Sequence, residues 1–309
     1  MMTVAMSDKQ RLSEEGARAR TGGEERTAAA DGTARGAGKT ARAERIPSGD
    51  QSTFAPGLRA LPRAVRPDVA RLYTVLRTLD DLVDEDSPQA PARLEAVERW
   101  ARGHPTDSPE TRTLTELASR YPLDAETLLE FCAGMRHDVA RASIADEQEL
   151  ERYCQRAGGS VGSMLAALLG TSGPEGVTRM ATLGRAMQRT NILRDIDEDA
   201  EHGRHYIAAA TIERFGAPLP GKRAELMRDQ IERADALYEQ GLPAIGMLTT
   251  GRRAMALSAA LYREILRQIE RDGYGRVPGR AIVPVWRRRV LIAEHRLRPH
   301  PGGRKMGRS

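Results

Sequence analysis

The sequence predicts an all-α protein, and three observations carry that expectation. Apolar residues recur at helical spacing in long runs from Pro62 onward. Glycine and proline punctuate those runs where helices should stop. No segment alternates apolar and polar residues as a half-buried strand would, and there is no internal repeat of fixed period.

Taken in order, residues 1–50 are Gly, Ala, Arg, Glu, Thr and Ser without periodic apolar positions, which predicts a disordered tail. Glu14, Glu15, Glu24 and Glu25 count against an organelle transit peptide. Gly36-Ala37-Gly38-Lys39-Thr40 looks like the end of a phosphate-binding loop. The first glycine of such a loop would fall at Thr33, however, and no strand precedes it.

A single helical domain is expected over 51–298. Its first long run, 65–84, places Leu72, Leu76, Leu79 and Val83 on one apolar stripe and stops at Ser87-Pro88. The run at 94–101 ends before His104-Pro105, and Tyr121-Pro122 precedes a run at 125–140. Residues 147–169 form one long run closed by the glycine and proline of 170–174. A run at 177–199 follows, then 223–240 beyond the glycine cluster of 216–221, then 252–271, closed by the glycines of 273–279. Residues 299–309 return to Gly, Pro and Arg, a basic and flexible tail.

Composition removes several classes. The 309 residues are 40% hydrophobic and 29% charged, an ordinary balance for a soluble protein with a sizeable core. The longest apolar stretch, 161–169, is about half of what a membrane span needs, and no segment resembles a signal peptide. Cys132 and Cys154 are the only cysteines and make no C-x-x-C pair, so a reducing cytoplasm is the expected location. Forty-eight basic against 43 acidic residues leave a net charge of +5. With no nucleic-acid motif beside that charge, it predicts a mild attraction to anionic surfaces or phosphorylated small molecules, and no nucleic acid.

Two segments carry chemistry. In the first, Tyr73, Arg77, Asp80 and Asp84 are spaced four, three and four, so they share a stripe beside the apolar one. Like charges one turn apart cost about 0.2–0.5 kcal/mol on an isolated helix, a cost that a cation would offset. The second segment repeats the pattern with Gln188, Asn191, Asp195 and Asp199, followed by Gly203-Arg204-His205-Tyr206. One such aspartate pair on an exposed helix is usually a solvated face. Two pairs, each preceded on its own stripe by polar residues, suit Mg2+, which takes one or two carboxylates together with phosphate oxygens and water. His202 and His205 form an H-x-x-H with no further ligand motif nearby, and a metal is not expected there.

Five segments in collinear order widen the picture. They are Ser52-Thr53-Phe54 with Leu61-Pro62, then Tyr73-x-x-x-Arg77-x-x-Asp80-Asp81-x-x-Asp84-Glu85, then Tyr153-Cys154-x-x-Ala157-Gly158-Gly159-Ser160-Val161-Gly162. The fourth is Gln188-x-x-Asn191-Ile192-Leu193-Arg194-Asp195-x-x-Glu198-Asp199-x-x-x-Gly203-Arg204-x-Tyr206. The fifth is Tyr262-Arg263-x-Ile265-Leu266-x-x-Ile269-Glu270-x-x-Gly273-Tyr274. From about Ser52 to Ala293 the chain resembles the phytoene/squalene synthases, the head-to-head trans-prenyltransferases.

The resemblance implies an isoprenoid synthase fold, with two aspartate-rich helices facing each other across the mouth of a central cavity. It implies that Asp80, Asp84, Asp195 and Asp199 bind Mg2+, with Mn2+ as a substitute. Arg77, Asn191, Arg194 and Arg204 would contact diphosphate or metal. Tyr73, Gln188, Tyr206 and Tyr262 would line the pocket near the reacting carbons, with Phe54 at the ionisation site. The implied reaction joins two allylic prenyl diphosphates through a cyclopropylcarbinyl diphosphate. The first expectation is two geranylgeranyl diphosphates giving phytoene. The alternatives are farnesyl diphosphate giving presqualene diphosphate or squalene, with NADPH only for squalene, and a non-catalytic binding or assembly protein. A lipid product and a basic surface also suggest peripheral membrane contact.

Elementary physics agrees with that chemistry. Diphosphate leaves only when its developing charge is neutralised, and the resulting carbocation needs a dry cavity. The small residues of 158–169 suit either a cavity wall against a prenyl chain or close helix packing. Tyr73, Tyr153, Tyr206 and Tyr262 can stabilise cations through their ring faces or serve as core tyrosines. The sequence departs from the family at Arg189, where an apolar residue is usual and an outward turn would be needed, and at Tyr206-Ile207-Ala208, which lacks the usual proline. Gly158-Gly159-Ser160, Ser52 and an aromatic content of only 4% depart more mildly.

Overall fold

The structure, a computed structural model, describes residues 53–297. The tails expected over 1–50 and 299–309, the 36–40 segment and Ser52 lie outside the described residues. The described residues form fourteen α-helices: α1 (Ala55–Ala60), α2 (Arg66–Asp84), α3 (Ala90–Ala101), α4 (Pro109–Ala118), α5 (Ala125–Val139), α6 (Glu147–Cys154), α7 (Ser160–Leu169), α8 (Pro174–Arg194), α9 (Ile196–Glu201), α10 (Ala209–Phe215), α11 (Ala224–Gly241), α12 (Ala244–Met247), α13 (Arg252–Arg271) and α14 (Val285–Leu297). No strand occurs among the described residues, only an isolated bridge between Thr171 and Leu248.

Local chemistry accounts for many of the boundaries. Ser108, Asp124 and Asp146 cap α4, α5 and α6 by accepting from Thr111, Thr127 and Glu149 backbone N–H groups. Pro109 and Pro174 open α4 and α8, where a missing N–H costs nothing. The 147–169 run is continuous but widens into a π-turn, Gln155–Gly159, where Ser160 N–H reaches back to Gln155. The 177–199 run breaks at Asp195 (φ −103°, ψ 11°), which ends α8 and begins α9.

Helix α8 is the centre of the fold, packed by the π-turn, α7, α11 and α13. Every residue from 186 to 195 is buried, although six of the ten are polar or charged: Gln188, Arg189, Thr190, Asn191, Arg194 and Asp195. Close approach of α8 to the π-turn depends on glycine. A Cβ on Gly184 would lie 2.2 Å from the Gly158 carbonyl oxygen, and one on Gly158 would lie 2.5 Å from that of Gly184. Gly162 meets the Met180 carbonyl in the same way. Gly158 and Gly162 therefore serve helix packing, while Val161 between them lines a cavity, so the segment does both. Cys132 and Cys154 are buried free thiols, both pushed up to about 12 by burial, and so unreactive.

Candidate active site

Both acidic segments face one cavity. Asp80 and Asp84 reach it from α2, and Gln188, Asn191, Asp195 and Asp199 from α8 and α9. The break at Asp195 does not scatter the second stripe, since Asp199 N–H still bonds the Asp195 carbonyl at 2.8 Å. The chain then turns at Gly203 (φ +71°), a left-handed position that favours glycine. That turn aims Arg204 back at the first segment. Its Nη1 donates to Asp84 Oδ1 at 2.6 Å and its Nη2 to the Val83 carbonyl at 3.0 Å. Residues 120 positions apart in sequence thus close the mouth of the cavity together.

The cavity is narrow, with a volume of about 20 Å³. Below the carboxylates its wall turns apolar with Phe131, Met135, Val161 and Ile192. Tyr206 from the turn and Tyr153 from α6 complete it, their rings stacked at 5.0 Å. Both hydroxyls donate to Asp138 of α5, Tyr206 to Oδ1 at 2.9 Å and Tyr153 to Oδ2 at 3.1 Å. Burial, then the Asp138 charge, pushes both phenols well above their usual range, so they stay protonated donors.

Five carboxylates line this cavity: Asp80, Asp84, Asp138, Asp195 and Asp199. Guanidinium groups answer some of that charge. Arg194 bonds Asp195 at 2.8 and 2.5 Å, Arg77 lies 3.5 Å from Asp80, and Arg280 lies 3.5 Å from Asp195. They do not answer all of it. Burial first, then the Asp80 charge, raises Asp84 to about 8; burial, then Asp195 and Asp84, raises Asp199 to about 8. Asp80 is raised as well, by burial. Asp80 Oδ2 and Asn191 Oδ1 are buried without a hydrogen-bond partner.

These residues fit divalent cations. Desolvated, mutually repelling carboxylates and orphaned oxygens are what a hard cation relieves. Among the described residues no three His, Cys or acidic side chains converge to hold an ion unaided. Each ion would therefore take one or two carboxylates and complete its shell with ligand oxygens and water.

Other expected residues fall behind the cavity rather than on its wall. Phe54 and Tyr73 stack on each other at 5.7 Å, and Tyr262 is buried on α13 near Arg194 and Tyr73. None of the three, nor Arg77, is among the side chains lining the cavity. The Phe54–Tyr73 stack uses the apolar faces that would otherwise be exposed there. Arg189 does not turn outward. It is 1% exposed, and its guanidinium donates to Glu147, Glu151 and Gln230. Sequence reasoning missed Asp138. Its signal was present in the spacing Phe131, Met135, Asp138, four and three apart, which puts one acid on an otherwise apolar stripe.

Comparison with known proteins follows the same lines. The family model for squalene/phytoene synthase matches residues 48–290. A phytoene synthase from Thermus thermophilus is 35% identical over 276 residues, covering 84% of this chain and 94% of that protein. A presqualene diphosphate synthase from Zymomonas mobilis is 30% identical over 255 residues, covering 76% of this chain and 87% of that one. The crystal structure of a dehydrosqualene synthase with a bound ligand superposes with a TM-score of 0.72 at 28% identity, covering 80% of this chain and 91% of that one.

Proposed function

The chain belongs to the squalene/phytoene synthase family of prenyltransferases, and from that premise we propose that it condenses two geranylgeranyl diphosphates head to head into phytoene in a Mg2+-dependent reaction. The observation that carries this reading is the meeting of the two acidic segments over one cavity with an apolar floor.

Asp80 and Asp84 on one side, with Asp195 and Asp199 on the other, would hold Mg2+, which supplies neutralisation of the departing diphosphate's charge when bound. Arg194 and Arg204 are fixed at the same mouth by their carboxylate partners and add preorganised positive charge there. Asn191 offers an unused amide oxygen, and Gln188 stands one turn away. Deeper in, Phe131, Met135, Val161 and Ile192 present no nucleophile to a carbocation. The Tyr153 and Tyr206 hydroxyls are committed to Asp138 and their rings to each other, so they wall the cavity with aromatic carbon and offer no free hydroxyl to a carbocation. One prenyl diphosphate ionises and releases diphosphate, its C1 bonds to the C2=C3 double bond of the second, and loss of a proton from C1 of that second molecule closes the ring to a cyclopropylcarbinyl diphosphate. A second ionisation and rearrangement gives the 1-1′ linked hydrocarbon, completed by proton loss.

The 30% identity to a presqualene diphosphate synthase supports a second reading, in which two farnesyl diphosphates give presqualene diphosphate, or squalene if NADPH delivers hydride. Incubation of purified protein and Mg2+ with each diphosphate, with and without NADPH, followed by mass spectrometry, separates them. The first reading expects a C40 hydrocarbon without NADPH; a C30 product from farnesyl diphosphate alone overturns it.

A further inference from the structure

Away from the cavity, exposed apolar side chains gather in one place. Val277, Ile282, Val285, Trp286 and Val290 are five of the eight large apolar side chains exposed among the described residues. They occupy the loop after α13 and the first turns of α14. Val277 and Ile282 are each 68% exposed and Trp286 62%. Scattered single exposures need no cause, but a cluster of this kind does.

The cluster is held out to solvent by a fixed frame. Gly279 N–H donates to Asp197 Oδ2 at 2.7 Å, Ala281 N–H donates to the Arg194 carbonyl at 3.2 Å, and Val283, two residues further on, is buried. α14 packs on α13, with Leu291 and Ile292 half-buried while Trp286, Arg289 and Val290 face outward. Val277, Pro278 and Ile282 also wall a second cavity of about 400 Å³, whose apolar lining includes Ile196, Met227 and Ile269.

Charge on this face is predominantly positive, with the exposed acids Asp272 and Glu294 at its two ends. Residues 273–293 contain five arginines and no aspartate or glutamate. Arg280 turns inward toward Asp195 and Glu198, and Arg287 toward Glu264. Arg276 and Arg289 are exposed beside the apolar side chains. After Glu294 the sequence adds Arg296, Arg298, Arg304, Lys305 and Arg308 and no further acid.

We propose that this face seats on an anionic lipid bilayer, with Trp286, Ile282 and Val277 in the interfacial layer and Arg276 and Arg289 at the head groups. A tryptophan with branched aliphatics, rimmed by arginines that outnumber the flanking acids Asp272 and Glu294, matches a surface that is negative outside and apolar beneath. A stable protein interface would need about 800 Å² per partner, more than five side chains supply. No helix among the described residues is long and apolar enough to cross a membrane, so the contact is peripheral. The inference rests on the surface alone and not on the reaction assigned above.

The test uses the full chain and vesicles of phosphatidylcholine, alone or with one third phosphatidylglycerol. Two exposed arginines near the surface, at about fivefold each, predict at least tenfold stronger sedimentation with the anionic vesicles. The double variant Ile282→Asp/Trp286→Asp should lose that binding while keeping its turnover of detergent-dispersed prenyl diphosphate, which also reports that it is folded. In a Trp100→Phe background the remaining tryptophan emission should shift to the blue on anionic vesicles. Equal sedimentation with both vesicles, or undiminished binding by the double variant, overturns the proposal. So does a concentration-dependent dimer that the double variant abolishes, which would assign the face to a second copy of the chain.

Discussion

Two buried polar clusters flank helix α8, and they are built on opposite terms. Around Arg189, Glu147 is tied by Thr211 at 2.6 Å, Gln230 at 2.7 Å and Arg189 at 3.0 Å. Burial raises the Glu147 carboxyl, but those hydrogen bonds and the Arg189 charge outweigh it and hold the group below its usual range. In the cavity the balance is reversed, with Asp84 pushed up to about 8 by burial and the Asp80 charge, and Asp199 to about 8 by burial and the charges of Asp195 and Asp84. The Arg189 cluster is not perfect, since Arg189 Nε has no partner. Glu147 is nonetheless fully answered within the fold, while Glu151 Oε2, which lacks a hydrogen bond, has the Arg185 guanidinium at 3.6 Å. The cavity's carboxylates are answered only in part, and the remaining demand points to something that binds. Burial of charge alone does not distinguish structure from function; the direction in which burial leaves the carboxylates does.

The sharpest way to break this contrast is to remove charge from the unanswered cluster. Asp80→Asn should lower turnover by about 1,000-fold, the upper range for losing one preorganised transition-state contact, while the thermal midpoint stays near that of the parent. Steady-state rates with a melting curve check both halves. A melting point that collapses with the rate would make Asp80 structural.

Next in size is the answered cluster. Arg189→Met should destabilise the fold by about 2–3 kcal/mol, less than a fully buried pair would, because Glu147 and Glu151 keep 24% and 32% exposure. Turnover per folded molecule should hold, as urea unfolding and an active-site titration would report. A smaller loss, about 1–2 kcal/mol, is expected for Tyr206→Phe, which removes one of the two hydroxyl donors to Asp138.

The smallest effect is a pH slope. In the metal-free protein Asp199 holds a proton up to about pH 8, whereas in the unfolded chain it ionises near 3.8. Between those values the native state binds more protons, so this group's contribution, complete below the unfolded pKa, is lost as pH rises through about 8. Denaturant titrations should show wild type losing on the order of 1 kcal/mol relative to Asp199→Asn between pH 6 and 8. Mg2+ should flatten the wild-type slope by favouring the charged form.

Much of this was legible in the sequence because periodicity reports faces. The stripes of 80 and 84, and of 188, 191, 195 and 199, were visible as spacing, and all six side chains meet in one cavity. Asp138 was harder to see, since a lone acid has no repeat to announce it and its two tyrosine partners come from 15 and 68 residues away. Arg189 looked like a surface residue because its carboxylate partners lie 38 and 42 residues upstream. The stack of Phe54 on Tyr73 depends on tertiary contact between α2 and the chain before α1, which no local pattern encodes. The break at Asp195 interrupts the backbone without disturbing the stripe, so helical spacing could not reveal it.

We propose that the two acidic segments act together on one diphosphate. Calorimetric binding of inorganic pyrophosphate in the presence of Mg2+ tests it most directly, comparing wild type with Asp84→Asn, Asp199→Asn and the double variant. Binding should be lost in either single variant, with little further loss in the double. Full-strength binding in one of the single variants would show that its segment takes no part in holding the ligand, and would contradict the claim.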